Sequence, residues 1–414
     1  MSTPTADDVR AEVLTWFAEA WDPDLALVVW RQRLLESGWA VPSWPVEWHG
    51  RGLPAWADSV AHEAIRSAGG VATPLGGGML LAAPTIVEHG SDDLKRRLLA
   101  PTLTGAATWC QLFSEPGAGS DLAGLTTTAV RDGDDWIVSG QKVWNTSAHH
   151  ADYGMLVART DWSVPKHAGI TYFALPMDQP GVEVRSIRQM NDHASFNEVF
   201  LTEARVSHAD VVGEVGDGWR VARATLAHER TFATLRDLPL PAEPWGRTVT
   251  EAAAESEAHR RTYIWYPQRA GRADLLVERA RSTGTAADAT IRQAIADTTS
   301  FQRANAWTAD RAAAARALGL PPGPEGSLGK LAASELSRRC HRTHTAIAGA
   351  AAMLAETGDP THAAVAEVLV STPAQSIAGG TDEIQRNIIG ENVLGLPREP
   401  AVDRGKAFRD VPHS

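Results

Sequence analysis

Read in order, the residue patterns of this 414-residue chain predict a multidomain α+β protein: a helical domain, a β domain, then a four-helix-type bundle. Three observations carry this. Apolar side chains recur every three or four positions from residue 6 to about 105. Between 109 and 213 the texture changes to short alternating runs separated by turn residues. From about 218 the helical spacing returns in long Ala-rich segments. A chain of this length exceeds one ordinary core, and the changes of texture set the expected domains at 1–108, 109–213 and 214–414.

The first helices are written in VRAEVLTWFAEAW, LALVVWRQRLLESGW and DLKRRLLAPTL, whose tryptophans read as helix-packing core. WAVPSWPVEWHGRGLP and GGVATPLGGGM interrupt them, because prolines and glycines cannot carry a helix through. In the middle region TTTAV, a DGDD turn and WIVSG read as a hairpin. GMLVART, ITYFALP and NEVFLTEARV add three strands, enough for a small barrel or sandwich. The bundle helices follow in WRVARATLAHERTFATL, ATIRQAIADTTSFQRANAWTADRAAAARAL and SLGKLAASELSRRCHRTHTAIAGAAAML. LPLPAEPWG, with Pro239, Pro241 and Pro244, must stop the first of these soon after residue 229.

Composition excludes several classes. A net charge of −11 leaves no general basic face for nucleic acid. No run of eighteen uncharged apolar residues exists to span a membrane, and the acidic start MSTPTADDVRAEV is unlike a secretory signal, so a cytoplasmic protein is expected. Two distant cysteines, Cys110 and Cys340, support neither a disulfide framework nor a Cys-rich metal site.

Chemistry concentrates in four segments. FSEPGAGSDLAG, Phe113 to Gly124, is a Gly-rich loop in which Gly117 and Gly119 admit close backbone approach and Ser114 and Ser120 offer hydroxyls. By itself it reads first as a structural turn and only second as a phosphate or flavin cradle. VWNTSAHHADYGMLVART, GEVGDGW at 213–219 and AGGTDEIQR at 378–386 follow in order.

Together these four segments resemble the acyl-CoA dehydrogenases over residues 30 to 400. The resemblance implies FAD as cofactor. Gln111, Phe113 and Ser114 would lie along the flavin through backbone atoms, with Gly119 and Ser120 nearer the pyrophosphate and the CoA arm. Trp144, on a strand, would cover one ring face, and Thr146 would hydrogen-bond near flavin N5; without the resemblance they read as a strand-core aromatic and an ordinary strand threonine. Thr381 and Glu383 belong to the terminal flavin-contacting segment. Two departures limit the carry-over: the usual Arg-x-x-Phe-Gly segment is replaced within AGRADLLVERARSTGTAADATIRQ, which puts the cross-subunit flavin contacts in question, and the usual Gln-x-x-Gly-Gly segment for the pyrophosphate is replaced by AIAGAAAML.

Where most of the family carries its acidic base, this chain has Gly379. A minority branch places the base on the first helix of the C-terminal domain before an arginine, and Glu229–Arg230 in TLAHERTF match it, with Arg230 facing substrate. Without the resemblance Glu229 reads as a solvated helix carboxylate. His228, one position earlier, points to another side of the helix. The implied reaction is removal of an α-proton from an acyl-CoA thioester by Glu229, with the Gly379 N–H still available to the thioester carbonyl and burial raising the carboxyl toward neutral. The β-hydride goes to the flavin, and electrons pass to an electron-transfer flavoprotein. The early helix stop and the branch predict a bulky or branched acyl group and a homo- or hetero-oligomer, dimer or tetramer. The competing classes are a flavin oxidase or monooxygenase of the same fold, and a non-catalytic subunit of a heteromeric dehydrogenase.

Overall fold

The computed structural model describes residues 4–232, 240–241, 245–317, 323–353, 360–398, 400–401 and 403–412. The chain forms two compact units, one of Met1–Ile187, Ala194–Thr262 and Asp403–Ser414, the other of Arg188–His193 and Tyr263–Val402.

The first unit begins with helices α1 (Ala6–Ala20), α2 (Leu27–Glu36), α3 (Trp56–Ser67), α4 (Ala83–His89) and α5 (Asp92–Thr104), with a π-helical turn at Gly78–Ala82. α1 starts at a capping box: the Asp8 N–H donates to the Thr5 hydroxyl at 3.2 Å, and the Thr5 N–H donates to the Asp8 carboxylate at 2.9 Å. Trp30 and Trp39 are core, as the sequence indicates, with Trp16 and Trp21 packed against that core, whereas Trp56 at the start of α3 is exposed. Trp30 is fully buried, stacks on Trp16, meets Phe17 and Trp21 edge-on, and satisfies its indole N–H at the Val71 carbonyl.

Among the described residues, seven strands then form one sheet, the half-barrel of the middle domain: β1 (Trp109–Leu112), β2 (Thr128–Asp132), β3 (Asp135–Lys142), β4 (Tyr153–Arg159), β5 (Ile170–Pro176), β6 (Val182–Ile187) and β7 (Phe196–Ser207). Their order is β1-β4-β2-β3-β7-β6, with β5 on β4. The predicted hairpin is β2–β3, closing on the pair Asp132–Asp135 with Gly133 left-handed. β1 runs parallel to β4, opposing Gln111 to Met155. Helices α6 (Gly218–Phe232) and α7 (Arg247–Thr262) complete this unit. Of the proline segment at 238–246, residues 238–239 and 242–244 lie outside the described residues, and with them the expectation of a more open acyl pocket.

The second unit contains α8 (Tyr266–Arg269), α9 (Leu276–Ser282), α10 (Ala289–Ala317), α11 (Glu325–Ala348), α12 (Pro360–Ser371) and α13 (Asp382–Asn392). α9, α10 and α11 share a core of Leu276, Ala280, Ile291, Cys340 and Ile347. α11 stops at Ala348, and the segment standing where the family carries Gln-x-x-Gly-Gly continues as a 3-10 turn, Gly349–Met353.

Candidate active site

β1 and the end of β3 build the predicted flavin face. Three bonds converge on the residues following Trp109: Lys142 Nζ donates to the Phe113 carbonyl at 3.0 Å, the Val143 N–H to the Ser114 carbonyl at 2.9 Å, and Asn145 Nδ2 to the Gln111 carbonyl at 2.7 Å. Gln111, Phe113 and Ser114 are thereby brought beside the turn that carries Trp144 and Thr146.

Trp144 is not on a strand, which corrects the sequence expectation. The Val143 N–H leaves the sheet ladder for Ser114, β3 ends at Lys142, and Trp144 follows at φ 65°. Thr146 lies in the same turn, and Ser147 is also left-handed, at φ 62°. Such backbone costs of order 1–3 kcal/mol per residue and persists only where surroundings impose it. Here Asn145 and Asn197 impose it: their backbones exchange N–H···O bonds at 3.0 and 3.1 Å, and Asn197 Nδ2 adds a third to the Asn145 carbonyl at 2.8 Å. Trp144 is 58 % exposed and perpendicular to the Phe196 ring, so the alternative of a strand-core aromatic fails.

The Gly-rich loop is tied at its start by a buried ion pair that the sequence reading missed. Lys142 Nζ lies 2.8 Å from Glu115 Oε1, and Glu115 also accepts the N–H groups of Thr126 and Thr127 and the Thr126 hydroxyl. Burial alone would raise the Glu115 carboxyl, but Lys142 and these donors prevail and hold it down to about 2. Period-2 placement of Lys142 on the inward side of β3 was the available signal. Beyond the anchor, Gly119 and Ser120 are exposed, and no heavy atom lies within 4 Å of where a Cβ at Gly119 would stand.

Glu229 lies on α6, one turn after Thr225 and two turns after Ala222, both fully buried. It is half-buried on that stripe, not on the exposed face of Arg223 and Ala227. Thr225 shares hydroxyl hydrogen bonds with Thr85 and Tyr172, fixing the helix against α4 and β5. His228 projects elsewhere and reaches Glu88 at 3.1 Å. The backbone of Arg230 belongs to α6; its side chain lies outside the described residues.

In the second unit, Gly379 and Gly380 are both left-handed, at φ 69° and 83°, and Thr381 caps α13 by accepting the Ile384 N–H. The Gly379 carbonyl accepts Gln385 Nε2 at 3.3 Å. Among the described residues none accepts the Gly379 N–H. The segment is held from α11: Arg338 donates to Ser376 and to buried Asp382, and Lys330 donates to the Gln375 carbonyl. Glu383 is exposed, 3.4 Å from Arg386.

Comparison with known proteins decides the family. Profiles for the acyl-CoA dehydrogenase N-terminal, middle and C-terminal domains match residues 4–106, 110–204 and 268–394. The chain belongs to the acyl-CoA dehydrogenase family. It is 35 % identical to acyl-CoA dehydrogenase IpdE1 of Mycobacterium tuberculosis over 416 residues, covering 95 % of this chain and 98 % of the relative. Among solved structures, the Tcur3481-Tcur3483 steroid ACAD has a TM-score of 0.65 at 25 % identity, covering 96 % of this acyl-CoA dehydrogenase and all of that chain. The ChsE4-ChsE5 complex from Mycobacterium tuberculosis has a TM-score of 0.63 at 26 % identity, covering 96 % and 99 %. As a member of this family the protein is an oxidoreductase.

The family implies a flavin, and the residues of this acyl-CoA dehydrogenase fit one. Among the described residues, Gln111 Nε2, Asn145 Oδ1 and Asn197 Oδ1 are buried without hydrogen-bond partners around the Trp144 turn, a combination that a bound polar heterocycle would resolve. Among the described residues no helix is long and apolar enough to cross a membrane, and no cluster of His, Cys, Asp and Glu could hold a metal ion.

Proposed function

We propose that this acyl-CoA dehydrogenase uses FAD and removes the α-proton of its acyl-CoA thioester with Glu229, yielding the trans-2-enoyl thioester. One observation carries the assignment: Glu229 occupies the buried stripe of α6, while position 379 is a glycine without a side chain to act as base. The Glu229 carboxylate accepts the α-proton, and charge developing on the thioester oxygen is met by the N–H of Gly379. FAD, when bound, supplies the acceptor for the β-hydride and relays the electrons to an electron-transfer flavoprotein. Gln111, Phe113, Ser114, Trp144 and Thr146 hold its ring system, Gly119 and Ser120 its pyrophosphate and the CoA arm, and Thr381 and Glu383 contribute from the terminal segment. Arg230, following the base, is assigned to substrate binding.

The acyl group is bulky, in keeping with the steroid ACAD among the similar structures. The protein assembles as an oligomer, homomeric or, as in the ChsE4-ChsE5 complex, heteromeric. Anaerobic titration with a panel of acyl-CoA thioesters, followed by flavin bleaching, tests the reading. Faster bleaching by butyryl- or octanoyl-CoA than by every branched or polycyclic thioester would refute the substrate class; no bleaching by any would refute the reaction.

A further inference from the structure

The end of the Gly-rich loop is secured by a part of the chain that the proposed reaction does not use. Residues Asp403–Ser414 belong to the first unit although the sequence immediately before them belongs to the second. Phe408 is 2 % exposed, and the guanidinium carbon of Arg159 stands 3.5 Å from the centre of its ring. The N–H groups of Phe408 and Arg409 donate to the carbonyls of Val164 and Trp162 at 2.9 and 3.0 Å, so the tail lies on the β4–β5 connection. Arg159 is fully buried and donates to the carbonyls of Ala123 and Leu125, at 2.7 and 3.1 Å, and to that of Lys166. Lys166 in turn joins Asp121 of the loop at 3.0 Å to Asp403 of the tail at 2.7 Å.

The loop therefore has two anchors, the Glu115–Lys142 pair before Pro116 and the Arg159–Lys166 pair after Ser120. Between them Gly117, Gly119 and Ser120 are exposed, while Ala118 is buried and exchanges backbone hydrogen bonds with Glu115. A buried guanidinium bonded to neutral carbonyls keeps those bonds only while water is excluded, and the Phe408 ring excludes it from one face while adding a cation–π contact. Asp403 does the corresponding work at Lys166, keeping the ammonium beside Asp121, the residue next to Ser120.

We propose that residues 403–412 form a strap that holds the loop from Gly119 to Leu125 in its ligand-binding conformation, with Phe408 and Asp403 as positioning residues acting through Arg159 and Lys166. The proposal rests on the reading of Gly119 and Ser120 as contacts for the FAD pyrophosphate and the CoA arm. The test uses the full chain as Phe408→Ala, Phe408→Tyr and Asp403→Asn, with amide hydrogen exchange over residues 117–125 and equilibrium binding of FAD and of coenzyme A. Phe408→Ala should speed loop exchange about tenfold and weaken both ligands by a similar factor, the worth of a partly desolvated cation–π contact. Phe408→Tyr should restore both, and Asp403→Asn, which keeps the ring, should produce a smaller loss of the same kind even if Phe408→Ala does not fold. Unchanged loop exchange in Phe408→Ala and Asp403→Asn, or faster exchange with unchanged affinities, overturns the strap. A parent chain that binds neither FAD nor coenzyme A overturns the functional reading first and this proposal with it.

Discussion

Replacing Lys142 by Met isolates the physics of the loop's first anchor. In the parent, Lys142 Nζ lies 2.8 Å from Glu115 Oε1 and 3.0 Å from the Phe113 carbonyl, with the two side chains 0 % and 5 % exposed. Methionine fills nearly the same volume but leaves a buried carboxylate without its counter-charge, a change that costs about 3–5 kcal/mol. The three donors from Thr126 and Thr127 remain, which puts the expectation at the lower end. The dependence on pH is a sharper check. The carboxyl of Glu115 is held at about 2 in the folded chain against 4.5 ordinarily, so its contribution is complete above 4.5 and is lost as pH falls toward 2. That depression amounts to roughly 3 kcal/mol, of which about three-fifths is gone by pH 3. In Lys142→Met the main opponent of burial is gone and the depression shrinks, so the stability gap between parent and variant should narrow between pH 4.5 and 2. Because a chain of two compact units need not unfold in one step, the quantity to follow is the opening free energy of the β2 and β3 amides by hydrogen exchange. A gap that stays constant over that pH range, or is under about 1 kcal/mol at neutral pH, would refute the reasoning.

Three further outcomes follow. Glu229→Gln should slow flavin bleaching by about two to four powers of ten while FAD and thioester affinities hold, and an unchanged rate sinks the base assignment. Trp144→Ala should lower FAD retention by roughly one to a few kcal/mol, since an exposed indole presented by a left-handed residue has its value in what it covers; equal FAD occupancy after dialysis would show otherwise. Asp382→Asn removes the carboxylate that joins Arg338 and Lys330 to the terminal segment, so exchange at residues 376–381 should rise while the sheet of the first unit is untouched; unchanged exchange would mean the Ser376 and Gln375 bonds suffice.

The hairpin, β4, β5 and β7 were legible because DGDD and alternating apolar runs are local signals, and the long helices because Ala-rich amphipathic spacing is. β1 and β6 were not read as strands. WCQL is four residues long and is paired in parallel with a strand forty-four residues later, and VEVRSI lies at an edge with polar residues on both faces. The four motif segments were legible as positions but not as geometry. Sequence alone could not show that WNT leaves the ladder, because the cause is a bond from Val143 to Ser114, and it could not show the Asn145–Asn197 exchange, which spans fifty-two residues. The Arg159–Phe408 contact was invisible for the same reason: neither residue carries a local pattern, and only the return of the tail brings them together.

The terminal segment joins these threads at one residue. Gly379 and Gly380 are consecutive left-handed positions leading into the Thr381 cap, and among the described residues beyond its chain neighbours a Cβ at Gly379 meets nothing within 4 Å, so what limits a side chain there is backbone strain. An L-residue in that conformation costs roughly 1–2 kcal/mol. A carboxylate at 379 is thus sterically possible at a modest cost, whereas one on α6 sits in unstrained helical backbone on a stripe already buried by Ala222 and Thr225. With the base on the helix, the glycine is free to keep the left-handed turn that presents its N–H, and the two duties that the proposed reaction asks of this protein fall to separate residues. The double variant Glu229→Gln, Gly379→Glu puts them back on one residue. It should recover part of the bleaching rate lost in Glu229→Gln while lowering stability by about that strain, and a double variant that is folded, binds FAD and bleaches no faster than Glu229→Gln would show that position 379 does not face the α-carbon.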